Sequence, residues 1–415
     1  MIASNSYGAL SATSANTIKG NAPWFKSNSG ENKLGFKVNG VEYSQGLGNI
    51  DSSVPKEFDG NLTLNDFTIK TLRVTDFKVS TDYFDNDGDI AHPNTPFTMD
   101  AMRYEWKDGA DNIISSADMN KMIGCGGGFS LPLKLIITIP NVQVHSKYGI
   151  PKDSGLTDLT KEYKITAPLG ICFAKPNDMI YDPTRTWYNP NARNWNRGSS
   201  ARDPVKGGGY NSDDFDPVNG FKVTGQTKFP TTGFPGAKFQ LLMVGSQTDY
   251  TYSSSTGSAV VDVNGFVTLI SKPYGNITIR ATSKLNPTIY FDYTFSPRNP
   301  WAVPVVGNGD ASWGSRQCAN LRMQVLSRSE LTNSPQKTAV CDGNSLINSA
   351  FTRAIGQGVL GEWGNLFMRY PDSLWDGYTY RTGDSCPVYG QYTVDIDNGS
   401  VGYWYSHQGY PIACR

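Results

Sequence analysis

The apolar pattern of this chain never runs far before a turn residue cuts it, and that spacing constrains the fold more than any single motif. Lys33 to Ser44, KLGFKVNGVEYS, alternates on both sides of Asn39-Gly40, a dipeptide that supplies the positive φ angles of a type I′ hairpin. Asn61 to Ser80 (NLTLNDFTIKTLRVTDFKVS) alternates without a sustained helical period and reads as strand. Met102 to Gly109 (MRYEWKDG) is a further short strand closed by Asp-Gly. The 43 glycines and 24 prolines, against only 18% charged residues, fit a turn-rich, mainly β protein. A chain of 415 residues is too long for one small core and implies about two to four domains.

Residues 177 to 222 break the pattern. They are poor in aliphatics and rich in Pro, Asn, Gly and Asp, and are expected to form an irregular connection clamped to the surface by Trp187, Tyr188, Trp195 and Tyr210. Phe229 to Phe295 then sets several short strands at close spacing, with turns at Asn264-Gly265 and Pro273 to Asn276, enough for one small β-sandwich. Only the tail carries helical spacings, in Cys318 to Asn333 and Ser345 to Val359, with an S-x-x-E capping box at Ser327 to Glu330. Aromatic strands follow in Gln391 to Ser406, turning at Asn398-Gly399.

Lys+Arg and Asp+Glu both number 37, so no surplus charge exists to hold nucleic acid or an anionic membrane surface. The longest apolar run, Leu131 to Ile139, is strand-sized and contains a lysine, so no transmembrane segment is expected. The first twenty or so residues lack the regions of a signal peptide; export is expected to use a removed leader or another route. Cys125 and Cys172 lie in the first half, and Cys318, Cys341, Cys386 and Cys414 near the end. Even counts in each block and no CxxC spacing point to disulfides in an oxidising, extracytoplasmic compartment. His92, His145 and His407 are too scattered for a zinc site.

Glycine-rich Gly124 to Phe129 (GCGGGF) runs into a strand without a phosphate-loop continuation, so its glycines are read as a tight turn that lets Cys125 reach Cys172. That bridge would staple a sandwich, with Trp106 packed near it. Asp85, Asp87 and Asp89, in YFDNDGDIAHP, alternate as calcium ligands do, but the twelfth-position glutamate and flanking helices of an EF-hand are missing. They are weak calcium candidates beside the plainer reading of a polar turn bonded to its own backbone. No G-x-S-x-G and no histidine with a neighbouring acid and nucleophile occurs, so an enzyme is not expected, and no cofactor is implied.

Three resemblances sharpen this. Val260 to Ser283, VVDVNGFVTLISKPYGNITIRATS, resembles the group 2 bacterial immunoglobulin-like domains, with Gly265, Val267, Gly275 and Ala281 at the turn, strand, turn and small-residue positions of that pattern. Cys318, the SRSEL segment (Ser327 to Leu331), GEWG (Gly361 to Gly364), Trp375, YTVDIDNG (Tyr392 to Gly399) and Cys414 together resemble the C-type lectin-like domain that ends the intimin and invasin adhesins. The D-x-D-G-D turn with Tyr104 and Trp106 is similar to immunoglobulin-like repeats of the same family. The resemblance implies tandem Ig-like β-sandwiches followed by a small α+β lectin-like domain: an Ig-like adhesion domain with an irregular extension over 1–222, a group 2 Ig-like domain over 223–298, and the lectin-like domain over 299–415.

It also implies a disulfide between Cys318 and Cys414, leaving Cys341 with Cys386, a second bridge that departs from the family's single one. Calcium-dependent C-type lectins use an acid and amide pair around a proline and a W-N-D strand, and neither stands around Pro371 or Trp375-Asp376. GEWG is therefore expected to hold Trp363 in the core, while binding falls to Trp375, Asp376, Tyr378, Tyr380, Tyr403, Trp404 and Tyr405, aromatics too dense for all to be buried. The implied function is that of a secreted or surface-exposed bacterial adhesin recognising a host or bacterial surface protein, with an outer-membrane β-barrel as a possible secretion partner. The alternative is calcium-independent carbohydrate binding.

Overall fold

The computed structural model describes residues 20–179, 207–335, 349–377, 379–386, 390–404 and 407–415. The chain divides into two compact units, Met1–Lys121 with Leu131–Thr166, and Met122–Ser130 with Ala167–Arg415. Each is built mainly from β-strands.

The first unit centres on the antiparallel pair Leu133–Val144 and Thr157–Thr166, flanked by the strands Lys56–Glu57, Phe97–Thr98 and Arg103–Lys107. Along Leu133–Val144 alternate side chains turn inward, and Leu133, Leu135, Ile137 and Ile139 are fully buried. A three-stranded sheet completes the unit, its hairpin Gly35–Val38 and Val41–Ser44 turning at Asn39 (φ 49°) and Gly40 (φ 79°) as expected. Phe36, Phe58, Phe67, Tyr163 and Trp106 join the two sheets through tilted and edge-on ring contacts.

Asn61 to Ser80 departs from expectation. Only Thr68–Ile69 is strand there, between short 3-10 turns at Leu64–Asp66 and Val74–Asp76. In both turns an aspartate accepts the backbone N–H three residues earlier, Asp66 from Thr63 at 2.7 Å and Asp76 from Arg73 at 2.8 Å. These side-chain acceptors close turns where alternation alone suggested extended chain.

The second unit contains a six-stranded sheet in the order Phe215–Asp216, Gly220–Lys222, Ile171–Pro176, Lys238–Met243, Phe266–Leu269 and Ala259–Val261. A three-stranded sheet of Tyr250–Ser254, Ile277–Ser283 and Tyr290–Phe295 supplies Ile277, Ile279, Tyr293 and Phe295 to the same core. The strand Ile171–Pro176, assigned from sequence to a first domain ending at 222, pairs with Lys238–Met243 and so joins this sandwich. The Cys125–Cys172 disulfide is present as expected, in this second unit, whereas Trp106 packs on Phe67 in the first. The irregular extension is expected over residues that include Trp187, Tyr188 and Trp195, which lie outside the described residues.

A third sheet in this unit runs Val303–Gly309, Tyr410–Cys414, Thr379–Cys386, Gly390–Asp395 and Val401–Trp404. The helix Ala311–Asn320 begins where Asp310 accepts the Trp313 N–H at 2.7 Å, and its Cys318 is bridged to Cys414 of the sheet, the pairing the resemblance implied. The Ser327–Glu330 capping box forms around Arg328–Leu331. The two helices expected over Cys318 to Asn333 and Ser345 to Val359 are corrected: the first helix starts earlier, and 349–354 is not helical but bridges through Ala350 and Arg353 to Gly207 and Tyr210 before a turn at 355–357. One continuous apolar cluster gathers buried residues from Ala174 to Ala413, so the sandwich and the C-terminal sheet share a core.

Candidate functional site

The segment Pro371 to Tyr380 is held by its aromatics rather than displaying them. Trp375 is 5% exposed and meets Phe234 and Tyr380 edge-on; Tyr380 is fully buried, and its hydroxyl oxygen accepts the Asp376 N–H at 2.8 Å. The expectation that these two rings face outward is therefore corrected: core rings nearby offered more apolar contact than solvent does. Leu374 and Asp376, on either side of Trp375, are exposed, and Tyr403 on the sheet-edge strand Val401–Trp404 is half-buried. Tyr378, Tyr405 and the Trp404 side chain lie outside the described residues. Cys386 is disulfide-bonded, and Cys341 lies outside the described residues.

Trp363 is fully buried, as expected, at the end of the helix Gly358–Trp363. Its indole N–H donates to the Thr232 hydroxyl at 3.0 Å and backbone oxygen at 3.1 Å, and its ring meets Phe229, Phe234, Phe239 and Tyr370. Beside it, buried Glu362 accepts from the N–H and hydroxyl groups of Thr231 and Thr232 and from the Gly356 N–H. Burial pushes this carboxyl up, and the five donors oppose that.

A second buried polar group lies around Asp178, which accepts the Asn365 N–H at 2.8 Å and pairs with Arg369 at 3.1 Å. Arg353 donates to the Asp178 backbone oxygen and lies over the rings of Phe215 and Phe221. Burial raises the Asp178 carboxyl and lowers Arg353, while their mutual attraction works the other way. Gly364, at φ 78°, passes so close that a Cβ would stand 2.1 Å from an Asp178 oxygen, which only glycine permits. Sequence reasoning missed both groups, since nothing local marks a carboxylate whose partners are more than a hundred residues away. They explain rigidity; every contact they make is to the fold itself.

The oxygens of Asp85, Asp87 and Asp89 lie within 4.8 Å of one another. Asp85 accepts the backbone N–H groups of Asp87 and Asp89, and Asp87 accepts from Asn21, which holds its carboxyl below the usual range. This is the hydrogen bonding of a self-capped turn.

A surface cavity of about 430 Å³ in the second unit is lined by Lys272, Arg298, Pro300, Trp301, Glu330 and Arg415, among others. Sequence reasoning treated Pro273 to Asn276, which follows Lys272 on its rim, only as a turn. The one visible signal was a lysine and a tyrosine flanking a proline, which a turn alone does not require.

Residues 213–295 match the family model for invasin, domain 4. Over 193 residues, or 44% of the chain, the sequence is 32% identical to invasin of Yersinia enterocolitica. By sequence, then, the chain is similar to members of the intimin/invasin family. It spans 20% of the length of that invasin. Among solved structures, the chain is similar to the crystal structure of invasin, described as a bacterial integrin-binding protein, at 19% identity and a TM-score of 0.41, covering 77% of this chain and 50% of that one. It is also similar to a C-terminal 282-residue fragment of intimin, in complex with the intimin-binding domain of the translocated intimin receptor, at 16% identity and a TM-score of 0.34, covering 83% and 96%. The invasin domain 4 match coincides with the sandwich strands from Phe215–Asp216 to Tyr290–Phe295.

Proposed function

We propose that this intimin/invasin-like chain is a secreted or surface-exposed adhesin that recognises a surface protein of a host or of another bacterium through its C-terminal region, without covalent chemistry. The invasin domain 4 match at 213–295 carries this reading, because it likens this stretch by its own sequence to a domain of invasin. Two features of the fold agree with it. The polar groups buried around Trp363 are spent on holding the scaffold rigid, which suits binding rather than turnover. No helix among the described residues is long and apolar enough to cross a membrane.

The burial of Trp375 and Tyr380 moves the contact surface in this reading to exposed Leu374 and Asp376 and to half-buried Tyr403. Cutting the chain at Pro300 would not test this, because residues on both sides of the cut share one core. Single substitutions do. We expect Asp376→Ala and Tyr403→Ala, each in the full chain, to weaken capture on mammalian or enterobacterial cells about five-fold or more by flow cytometry, with unchanged thermal unfolding. Undiminished capture by both variants would remove this surface from the reading.

A further inference from the structure

We infer that the cavity beside the Lys272 to Asn276 turn is a docking groove for an acidic peptide segment of a protein partner. This deepens the proposed function and rests on the reading of the chain as a protein-binding adhesin.

Three cationic side chains surround the groove and only one carboxylate answers them. Glu330 pairs with Arg415 at 2.8 Å, and its other oxygen accepts the N–H and hydroxyl of Ser327, so it is fully engaged. Lys272 is exposed and makes no ion pair or hydrogen bond among the described residues. Arg298 is exposed too; it donates from Nε to the Ser296 hydroxyl and from Nη1 to the Tyr274 backbone oxygen, both at 3.0 Å, and faces no carboxylate. Those two bonds fix the guanidinium on the rim and leave Nη2 for a visiting acid.

Beside this fixed arginine the Tyr274 ring is entirely exposed, at 102%. No contact of this ring is recorded among the described residues: the turn is anchored by buried Pro273, and the ring is exposed. A preset arginine and a bare tyrosine next to each other are the residue types that dominate protein contacts, since both bring large area at small conformational cost. Buried Pro300, Trp301 and Gly358 line the groove together with the polar Asn299 and Ser329, so an occupant meets both apolar and hydrogen-bonding surface.

Charge decides the class of occupant. Two uncompensated cations in a chain of zero net charge offer little counterion release to a polyanion such as a nucleic acid, whose affinity grows with the number of phosphates neutralised. They suffice for one or two carboxylates, with Tyr274 covering an adjacent apolar side chain.

The test is fluorescence anisotropy of the full chain with a fluorescein-labelled peptide of alternating Glu and Leu, read alongside capture of the same chain on cells. The wild type should bind the peptide, and binding should weaken as salt rises from about 50 to about 300 mM. Lys272→Glu alone, at a position with no partner to lose, should weaken it about three-fold or more, and Lys272→Glu with Arg298→Glu about ten-fold or more. Tyr274→Ala should weaken it about three-fold or more while leaving the salt dependence unchanged. Cell capture should fall in parallel. The proposal is overturned if the double variant binds the peptide as the wild type does, if a heparin oligosaccharide binds more tightly than the peptide, or if cell capture persists in the double variant. Absence of capture by the wild type would instead overturn the adhesin reading itself.

Discussion

At the scale of single residues, stability is concentrated where long-range polar contacts are fully satisfied. Glu362 accepts from Thr231, Thr232 and Gly356 with no access to water, so Glu362→Ala strands several buried donors and should cost about 3 to 5 kcal/mol in urea unfolding. Glu362→Gln, which keeps the shape and some acceptor capacity, should cost about 1 to 3 kcal/mol. Asp395 gives a different test, because burial, assisted by the nearby Asp397, raises its carboxyl to about 6. Its folded value exceeds its unfolded one, so the folded state holds the proton more tightly, and ionisation erodes stability as pH rises through about 4 to 6. Asp395→Asn keeps an acceptor for the Asp397 N–H without the charge. Its stability relative to wild type should therefore climb between pH 4 and pH 7, measured by thermal unfolding; a flat difference would mean that the carboxylate is solvated in solution.

At the scale of elements, backbone geometry and covalent links give cleaner expectations. A Cβ at Gly40 would touch nothing within 4 Å, yet φ is 79°, so Gly40→Ala should cost about 1 kcal/mol for purely conformational reasons. The Cys318–Cys414 bridge closes a loop of 96 residues, and replacing both cysteines by serine should cost about 4 to 5 kcal/mol in the chain-entropy account. Elements of this kind were legible in the sequence. Asn39-Gly40 announced its hairpin, Ser327 and Glu330 their capping box, and alternating Leu and Ile the strand Leu133–Val144. What was not legible depended on partners far along the chain. Residues 349 to 354 carry Ala, Phe and Ala at spacings that suit a helix, but they are buried and not helical because Ala350 and Arg353 bridge to Gly207 and Tyr210. Likewise Ile171–Pro176 looked like the last strand of one sandwich and became a central strand of another, since only its pairing with Lys238–Met243 decides the matter. Trp375 and Tyr380 failed as surface anchors for the same reason: density of aromatics reveals that a region is important to packing or binding, and only Phe234 shows which.

At the scale of the molecule, the shared core of the second unit has a mechanical consequence. Because buried residues from Ala174 to Ala413 form one cluster, 167–415 should unfold in a single cooperative step, and Trp363→Ala should lower the stability of the sandwich and of the C-terminal sheet together, by about 3 to 5 kcal/mol. Hydrogen exchange would report it as equal loss of protection in Ile277–Ser283 and Gly390–Asp395; loss in one alone would show that the two fold separately. A rigid unit of this kind presents its exposed side chains in fixed relative positions, which is what recognition of a folded surface protein requires. The most direct test of the account is capture of the full chain on intact cells before and after surface treatment. The account predicts that protease removes the binding, while glycosidase and a calcium chelator leave it in place. Binding that survives protease and disappears with glycosidase would contradict it and establish the carbohydrate reading instead.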